Sequence, residues 1–362
     1  MARKKKKKPS SLLLKAVIAL VALVIITVPV LLGAVIYLNA PVKPGAVPLP
    51  SQLDGIIFRE DGVFIEVRRG ESAQSVGRRL EGAGLINNRL FWQLLCRLDS
   101  EPVKAGAYLL QVPASQMAIH RLLVSGRQIL HRVTIPEGVT LKKIAGILQD
   151  AGICSADDFL EEAANQRTIG SYRIPNPTME GYLFPDTYLF PKEYPASLVI
   201  KSMADTFFSR MEIIYPSVVD LTPQEINRRV IIASIVEREY RIGEEAPLMA
   251  GVFFNRLRIG MALQSCATVE YIITEIQGRP HPKVIYNRDL EIRSPYNTYL
   301  VPGLPPGPIS APGETALGAA FFPEETDFLY FRLEDPSAGK HYFSKTLDEH
   351  IKAGELVPKG QF

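Results

Sequence analysis

Glu237 has the setting in this sequence that most invites chemistry. It follows Val230-Ile231-Ile232-Ala233-Ser234-Ile235-Val236, a run apolar on almost every side. It also extends the face of Ile226, Val230 and Ala233, at helical spacings of four, three and four. A carboxyl on that face is partly withdrawn from water, which favours its neutral form and suits it to general acid work. The same pattern fits a structural glutamate at the end of a buried helix, paired with Arg238 or Arg256. Glu239, Glu244 and Glu245 fall in a more polar stretch and are expected on the solvated surface.

Two further segments have the composition of a site wall. One runs from Val252-Phe253-Phe254-Asn255-Arg256-Leu257 to Leu263-Gln264-Ser265-Cys266-Ala267-Thr268-Val269-Glu270-Tyr271. The other joins Ser294-Pro295-Tyr296-Asn297-Thr298-Tyr299 to Gly303-Leu304-Pro305-Pro306-Gly307-Pro308-Ile309. Amides and hydroxyls among aromatics suit a sugar polymer, whose rings stack while its hydroxyls take directional hydrogen bonds. The alternative is that Asn and Thr set turn geometry and proline stiffens loops.

The elements that must position these groups can be read around them. Thr222-Pro223-Gln224-Glu225 predicts the start of the Glu237 helix, with Thr222 as N-cap, Pro223 in the first turn and Glu225 completing a capping box. Upstream, two segments share a pattern. Val67-Arg68-Arg69-Gly70-Glu71-Ser72 leads to Val76, Leu80 and Ala83-Gly84-Leu85; Ile135-Pro136-Glu137-Gly138-Val139-Thr140 leads to Ile144, Leu148 and Ala151-Gly152-Ile153. Each reads as strand, turn, capped helix and glycine stop, with Ser72 and Thr140 as N-caps and Gly84 and Gly152 at the C′ position. The pattern resembles the LysM glycan-binding module, and equally fits packing units beside a larger domain.

The N-terminus is set apart by charge. Residues 1–40 carry Arg3, Lys4 to Lys8 and Lys15 and no acidic residue, and Ala16 to Leu38 is uncharged. At 1.5 Å per residue that stretch spans about 34 Å, enough for a hydrocarbon core of roughly 30 Å. A cleaved signal peptide would have a shorter apolar core and a small-x-small site, which Leu38-Asn39-Ala40 does not supply. The expectation is a retained single-pass helix with its basic end in the cytoplasm. The chain holds 41 basic and 38 acidic side chains in all, so the remainder beyond the tail is mildly acidic. The basic run therefore serves topology, and nucleic acid is not an expected partner. Three cysteines without CxxC spacing imply no disulfide framework. Five histidines in no ligand spacing argue against a metal, and no cofactor is expected.

Several motifs carry a closer likeness. Glu180-Gly181-Tyr182-Leu183-Phe184-Pro185-Asp186-Thr187-Tyr188, Ala233-Ser234-Ile235-Val236-Glu237-Arg238-Glu239, Phe254-Asn255-Arg256-Leu257, Tyr296-Asn297-Thr298-Tyr299 with Gly303 to Ile309, and Gly339-Lys340-His341-Tyr342-Phe343-Ser344 lie in order across residues 65–355. Together they resemble the YceG-like endolytic murein transglycosylases. One departure is Cys266-Ala267, where the family often has Asp-Pro. The resemblance implies cleavage of the β-1,4 bond between N-acetylmuramic acid and N-acetylglucosamine within a strand, leaving a 1,6-anhydro end. It aligns Glu237 with the catalytic acid and base, and makes Gln264, Thr268, Asn297 and Thr298 candidates for holding the sugars. The anchor would then hold the site at the outer face of the cytoplasmic (inner) membrane, which suggests action on nascent strands, with peptidoglycan synthases as candidate partners. A hydrolase would need a second placed carboxylate, for which Asp186 and Glu270 are the candidates by motif. A catalytically silent, peptidoglycan-binding scaffold is the reading from another class.

The expected architecture is α+β, with small antiparallel sheets covered by helices. Its expected segments are a basic tail (1–15), a transmembrane helix (16–38), a proline-rich linker (39–54), a tandem LysM-like region (55–165) and a catalytic domain (166–362).

Overall fold

The computed structural model describes residues 11–42, 52–53, 55–59, 62–68, 70–99, 101–126 and 130–355. Most of the basic tail and most of the proline-rich linker lie outside the described residues. The chain divides into two compact units, 1–129 and 130–362, so the two βα copies fall in different units and the 165/166 change of character lies inside the second.

In the first unit, helix α1 (Ser11–Leu38) is long and apolar enough from Lys15 to cross a membrane. Strands β1 (Gln52–Leu53), β2 (Ile56–Arg59) and β3 (Gly62–Val67) are followed by α2 (Ala73–Gly82) and α3 (Arg89–Leu98), then β4 (Gly106–Leu110) and α4 (Gln116–Ser125). The strands form one antiparallel sheet in the order β1-β2-β3-β4. Its core joins Ile56, Val63, Ile65, Val76, Leu80, Trp92, Tyr108, Ile119 and Leu123. Gly77 is required there, because a Cβ would lie 2.4 Å from the Trp92 ring.

The second unit starts with β5 (Leu130–Thr134), α5 (Leu141–Asp150), α6 (Ala156–Ala163), α7 (Gln166–Ser171) and β6 (Thr187–Pro191). It continues with α8 (Ala196–Ile214), α9 (Pro223–Glu239), α10 (Ala246–Arg258), α11 (Cys266–Tyr271), α12 (Glu314–Phe321), β7 (Tyr330–Asp335), β8 (Lys340–Ser344) and α13 (Leu347–Glu355). Strand pairs β5–β6 and β7–β8 are antiparallel, so every sheet among the described residues is antiparallel, beside many helices. The mixed α and β character expected from sequence is present, as is the apolar N-terminal helix.

The caps follow the sequence signals closely. Ser72 and Thr140 accept from the N–H groups of Ser75 and Lys143 at the starts of α2 and α5. At both C-termini a left-handed glycine closes a six-to-one turn: Leu85 N donates to Leu80 O, and Ile153 N to Leu148 O, both at 2.9 Å. The two copies thus share their local physics. Their strands differ, since β3 lies inside the first unit's sheet whereas β5 pairs with β6.

Helix α9 is the centre of the second unit. Val230 to Val236 are buried all round, packed against α12, α10 and α11. Its start is the expected capping box: Thr222 N donates to the Glu225 carboxylate at 2.7 Å, and Glu225 N to Thr222 Oγ1 at 3.3 Å. A helix so buried fixes the place of whatever ends it.

Candidate active site

The last turn of α9 presents Glu237, half-buried, where the helix meets two other chain segments. Neither arginine proposed as its structural partner is used that way. Arg238 pairs with Glu270 at 2.7 Å, and Arg256 donates to the carbonyls of Leu329 and Leu263, each at 2.6 Å. Glu237 Oε2 instead accepts a hydrogen bond of 2.8 Å from Gly313 N.

The segment carrying Gly313 is tied to the helix from within. Ser234, one turn before Glu237, accepts from Ile309 N at 3.0 Å, and its carbonyl accepts from Ser310 Oγ at 3.0 Å. Two residues further, the same segment pairs with the turn after β5: Gly138 N donates to Ala311 O at 2.9 Å, and Ala311 N to Val139 O at 2.8 Å. Residues 309–313 are therefore a rail between α9 and the turn 136–139. The turn needs its glycine, because Gly138 has a φ of +72°.

This arrangement brings in a residue that sequence reasoning left in the βα repeat. Glu137 lies against Gly313 so closely that a Cβ there would sit 1.9 Å from Glu137 Oε1. Gly313 thus separates two carboxyls, with its N–H on Glu237 and its Cα face toward Glu137. Only the Pro-Glu-Gly turn hinted at this, since its partners lie 100 and 176 residues further along the chain.

The electrostatics follow from the packing. Burial pushes the Glu237 carboxyl up to about 7, and the nearby Glu137 charge adds to the rise. Hydrogen bonds from Gly313 N and the Tyr240 side chain pull the other way, stabilising the carboxylate. A group balanced near neutrality can both give and take a proton, which is the requirement for serial acid and base work.

The other sequence candidates fall into two groups. Thr268, Asn297 and Thr298 are buried, at 0, 0 and 1 % exposure, and their polar atoms are used internally. Ser265 N donates to Thr298 Oγ1 at 3.1 Å, the two threonine hydroxyls meet at 2.9 Å, and Thr268 Oγ1 donates to Ser265 O at 2.7 Å. Asn297 donates to Leu290 O and Ile292 O and accepts from Tyr299 N. These three side chains hold the loops together. Gln264 differs: its side chain is exposed, and it is one of three non-glycine residues with positive φ among those described, at +51°. Its N–H donates to the Thr298 carbonyl at 3.0 Å, which helps to hold its strained backbone.

The acidic stretch after Glu237 requires a correction. Glu244 is exposed as expected, but Glu239 is half-buried and accepts from the Ser265 hydroxyl, and burial raises its pKa against that bond. Glu245 is buried at 9 % and accepts from His341 N, with His341 Nδ1 at 2.7 Å. Partners 26 and 96 residues later on the chain turn both inward, beyond the reach of local polarity. Of the two carboxylates considered for a hydrolase, Glu270 is engaged by Arg238, while Asp186 accepts from Thr187 N and lies 3.8 Å from Arg210. All three cysteines are free. No group of three or more His, Cys, Asp or Glu that could hold a metal is found among the described residues.

Two cavities lie in other parts of the unit. One of about 500 Å³ is walled by the α10 face at Gly251 and Asn255 and by residues 323–327; a second of about 290 Å³ is lined by Tyr172, Phe208 and Ile226 among others. Glu237 lines neither of these two.

Glu237 is thus a half-buried carboxyl raised to about 7, at the end of a buried helix and with the Gly313 amide on one oxygen. The YceG-like family model matches residues 65–355, and the chain belongs to that family. Among similar proteins are the endolytic murein transglycosylase of Bacillus subtilis, 33% identical over 81% of this chain and 84% of that protein, and that of Streptococcus pneumoniae, 31% identical over 80% of this chain. The match spans only 57% of the pneumococcal protein's length. A crystal structure of a YceG-like protein from Listeria monocytogenes is 31% identical, covering 80% of this chain and 98% of that one, with a TM-score of 0.53.

Proposed function

We propose that this chain is a membrane-anchored endolytic peptidoglycan transglycosylase with Glu237 as its single acid and base. The observation that carries the reading is the state of Glu237: half-buried, raised to about 7, and held through one oxygen by Gly313 N. The names of its relatives supply the substrate class.

In the first half of the reaction, protonated Glu237 donates to the glycosidic oxygen as the bond from that oxygen to the muramic C1 breaks. The carboxylate so formed keeps hydrogen bonds from Gly313 N and Tyr240. In the second half, the muramic C6 hydroxyl attacks C1 and gives its proton to Glu237. A new C1–O6 bond closes the 1,6-anhydro ring, and the enzyme returns to its starting state without water. Ordinary glycosidases use two carboxylates because an external nucleophile must be supplied or activated. Here the nucleophile is part of the substrate, which also gives it the benefit of proximity. Exposed Gln264 is the polar side chain proposed to reach a sugar, with Thr268, Asn297 and Thr298 supporting it from behind.

The apolar helix is proposed as a single-pass anchor, its basic end in the cytoplasm and the catalytic unit on the periplasmic side. The βα copies are proposed as LysM-like units, the second of which delivers the turn 136–139 to the site. Peptidoglycan synthases are proposed partners, since they make the strands.

Glu137 favours a second reading, hydrolysis, because a second carboxylate near the first is what activation of water requires. Digestion of purified glycan strands with the full-length protein in detergent, followed by mass spectrometry of the ends, separates the readings. Transglycosylation gives 1,6-anhydro ends, and Glu237→Gln lowers the rate by roughly 10²–10⁴-fold. Reducing ends would establish hydrolysis. Binding without cleavage by the wild type would leave a scaffold.

A further inference from the structure

We propose that Glu137 is a positioning residue for the chemistry at Glu237, keeping the proton on Glu237 by placing a second carboxylate across Gly313 from it. The inference rests on the reading of Glu237 as the acid.

The geometry that supports it is specific. The turn carrying Glu137 is fastened to residues 311–313 by hydrogen bonds in both directions, Gly138 N to Ala311 O and Ala311 N to Val139 O. The turn also touches the acid directly: a Cβ on Gly138 would lie 3.6 Å from Glu237 Cγ and 3.5 Å from Arg238 Cδ. At Gly313 the missing Cβ leaves the space that the Glu137 carboxyl occupies. Gly313 has φ −82° and ψ −176°, extended backbone that any residue adopts, so its small size matters here and its conformational freedom does not.

Charge then decides the effect. The charged and titratable groups facing Glu237 come from three elements. From its own helix come Tyr240, whose hydroxyl favours the carboxylate, and Arg238, whose guanidinium is turned to Glu270 at 2.7 Å. From residues 309–313 comes Gly313 N, which also favours the carboxylate; Glu314, the first residue of α12, lies with its carboxylate 3.7 Å from Arg210. From the turn after β5 comes Glu137, which has no cation within ion-pair distance among the described residues. Tyr240 senses both carboxylates, consistent with all three groups sharing one small volume. Burial is the main influence that keeps the proton on Glu237; a second negative charge also opposes its ionisation, so Glu137 adds to burial against the two hydrogen bonds that favour the charged form. Once Glu237 has given up its proton, the same repulsion favours recapture from the C6 hydroxyl.

Two variants isolate the effect. Glu137→Gln removes the charge and keeps the shape. Gly313→Ala adds a Cβ that displaces the flexible end of Glu137 while leaving the N–H on Glu237. The readouts are the pH profile of kcat/KM on glycan strands and the carbon-13 NMR titration of the Glu237 carboxyl in the full-length protein, its signal assigned by loss in Glu237→Gln. In both variants the Glu237 midpoint and the alkaline limb of the profile move to lower pH. In Glu137→Gln, cleavage at pH 8 drops several-fold against the wild type, while cleavage at pH 5 is retained. An unchanged Glu237 midpoint in Glu137→Gln overturns the proposal. So does an even loss of activity at every pH, which marks Glu137 as merely structural or as a direct participant. Wild-type protein that cleaves nothing counts against the transglycosylase reading alone, because the NMR titration still decides whether Glu137 governs the proton on Glu237.

Discussion

At the scale of single residues, Glu237 makes stability depend on pH in a direction that can be worked out. Its carboxyl titrates at about 7 in the folded protein against an ordinary value of 4.5. Between those limits the folded state keeps a proton that the unfolded chain releases, so stability falls as pH rises through this window. Glu180 acts with the same sign: it is buried and raised to about 8, despite hydrogen bonds from Leu141 N and Tyr271. Replacing Glu237 by Gln removes its share of the penalty. The variant should match wild type near pH 4, gain progressively from pH 4.5 to 7, and hold a constant advantage of about 1–2 kcal/mol above that, discounted for partial exposure. Thermal melts at pH 4, 6 and 8 check this, and a variant less stable than wild type at pH 8 would sink it. The burial behind this effect was legible in the sequence, because an apolar helical face locates a carboxyl without any knowledge of the fold. What each polar side chain touches was not. Thr268 and Thr298 have the composition of a sugar site, yet they bond to each other across 30 residues, and Glu137 lies against Gly313, 176 residues further along the chain.

At the scale of elements, capping and periodicity were readable because their physics is local. Ser72, Thr140 and the Thr222–Glu225 box act within four residues, and Gly84 and Gly152 end helices for the same short-range reason. Strand partners were not readable. Residues of β5 and β6 pair across more than 50 positions, so the division of the two βα copies between units could not be inferred from their likeness. The rail at 309–313 is likewise a long-range object, and its anchor offers a test. Ser234 Oγ, fully buried, receives Ile309 N and donates to Ile231 O. Ser234→Ala leaves the Ile309 N–H buried without that partner, at a cost of about 1–3 kcal/mol. Because the same rail presents Gly313 to Glu237, kcat should fall together with the melting temperature while KM changes little. Ser234→Ala that melts lower but turns over normally would show that the rail keeps its position without the serine. Ser234→Thr, which retains the hydroxyl, controls for polarity.

At the scale of the whole molecule, the proposed anchor would decide which glycan the proposed activity meets. The helix from Lys15 to Leu38 is long and apolar enough to cross a membrane, with a mean hydropathy of 2.9, and Arg3 to Lys8 precede it. Positive charge resists translocation, so the basic end should stay inside and the chain beyond residue 38 should be delivered outside. New glycan leaves the membrane on that side. On the proposed reading, a tether would raise the concentration of Glu237 near strands still being made, without changing the chemistry at the site. The expectation divides into two measurable parts. A chain with residues 1–38 replaced by a cleavable secretion signal should cut purified strands at the wild-type rate, since all contacts of Glu237 described above lie beyond residue 130. In cells the same chain should fail to shorten new strands, as read from the length distribution of pulse-labelled glycan. Normal shortening by the released form would separate substrate choice from the anchor. Loss of cutting in solution would instead mean that the helix supports the catalytic unit itself, and full-length protein in nanodiscs would then restore the rate.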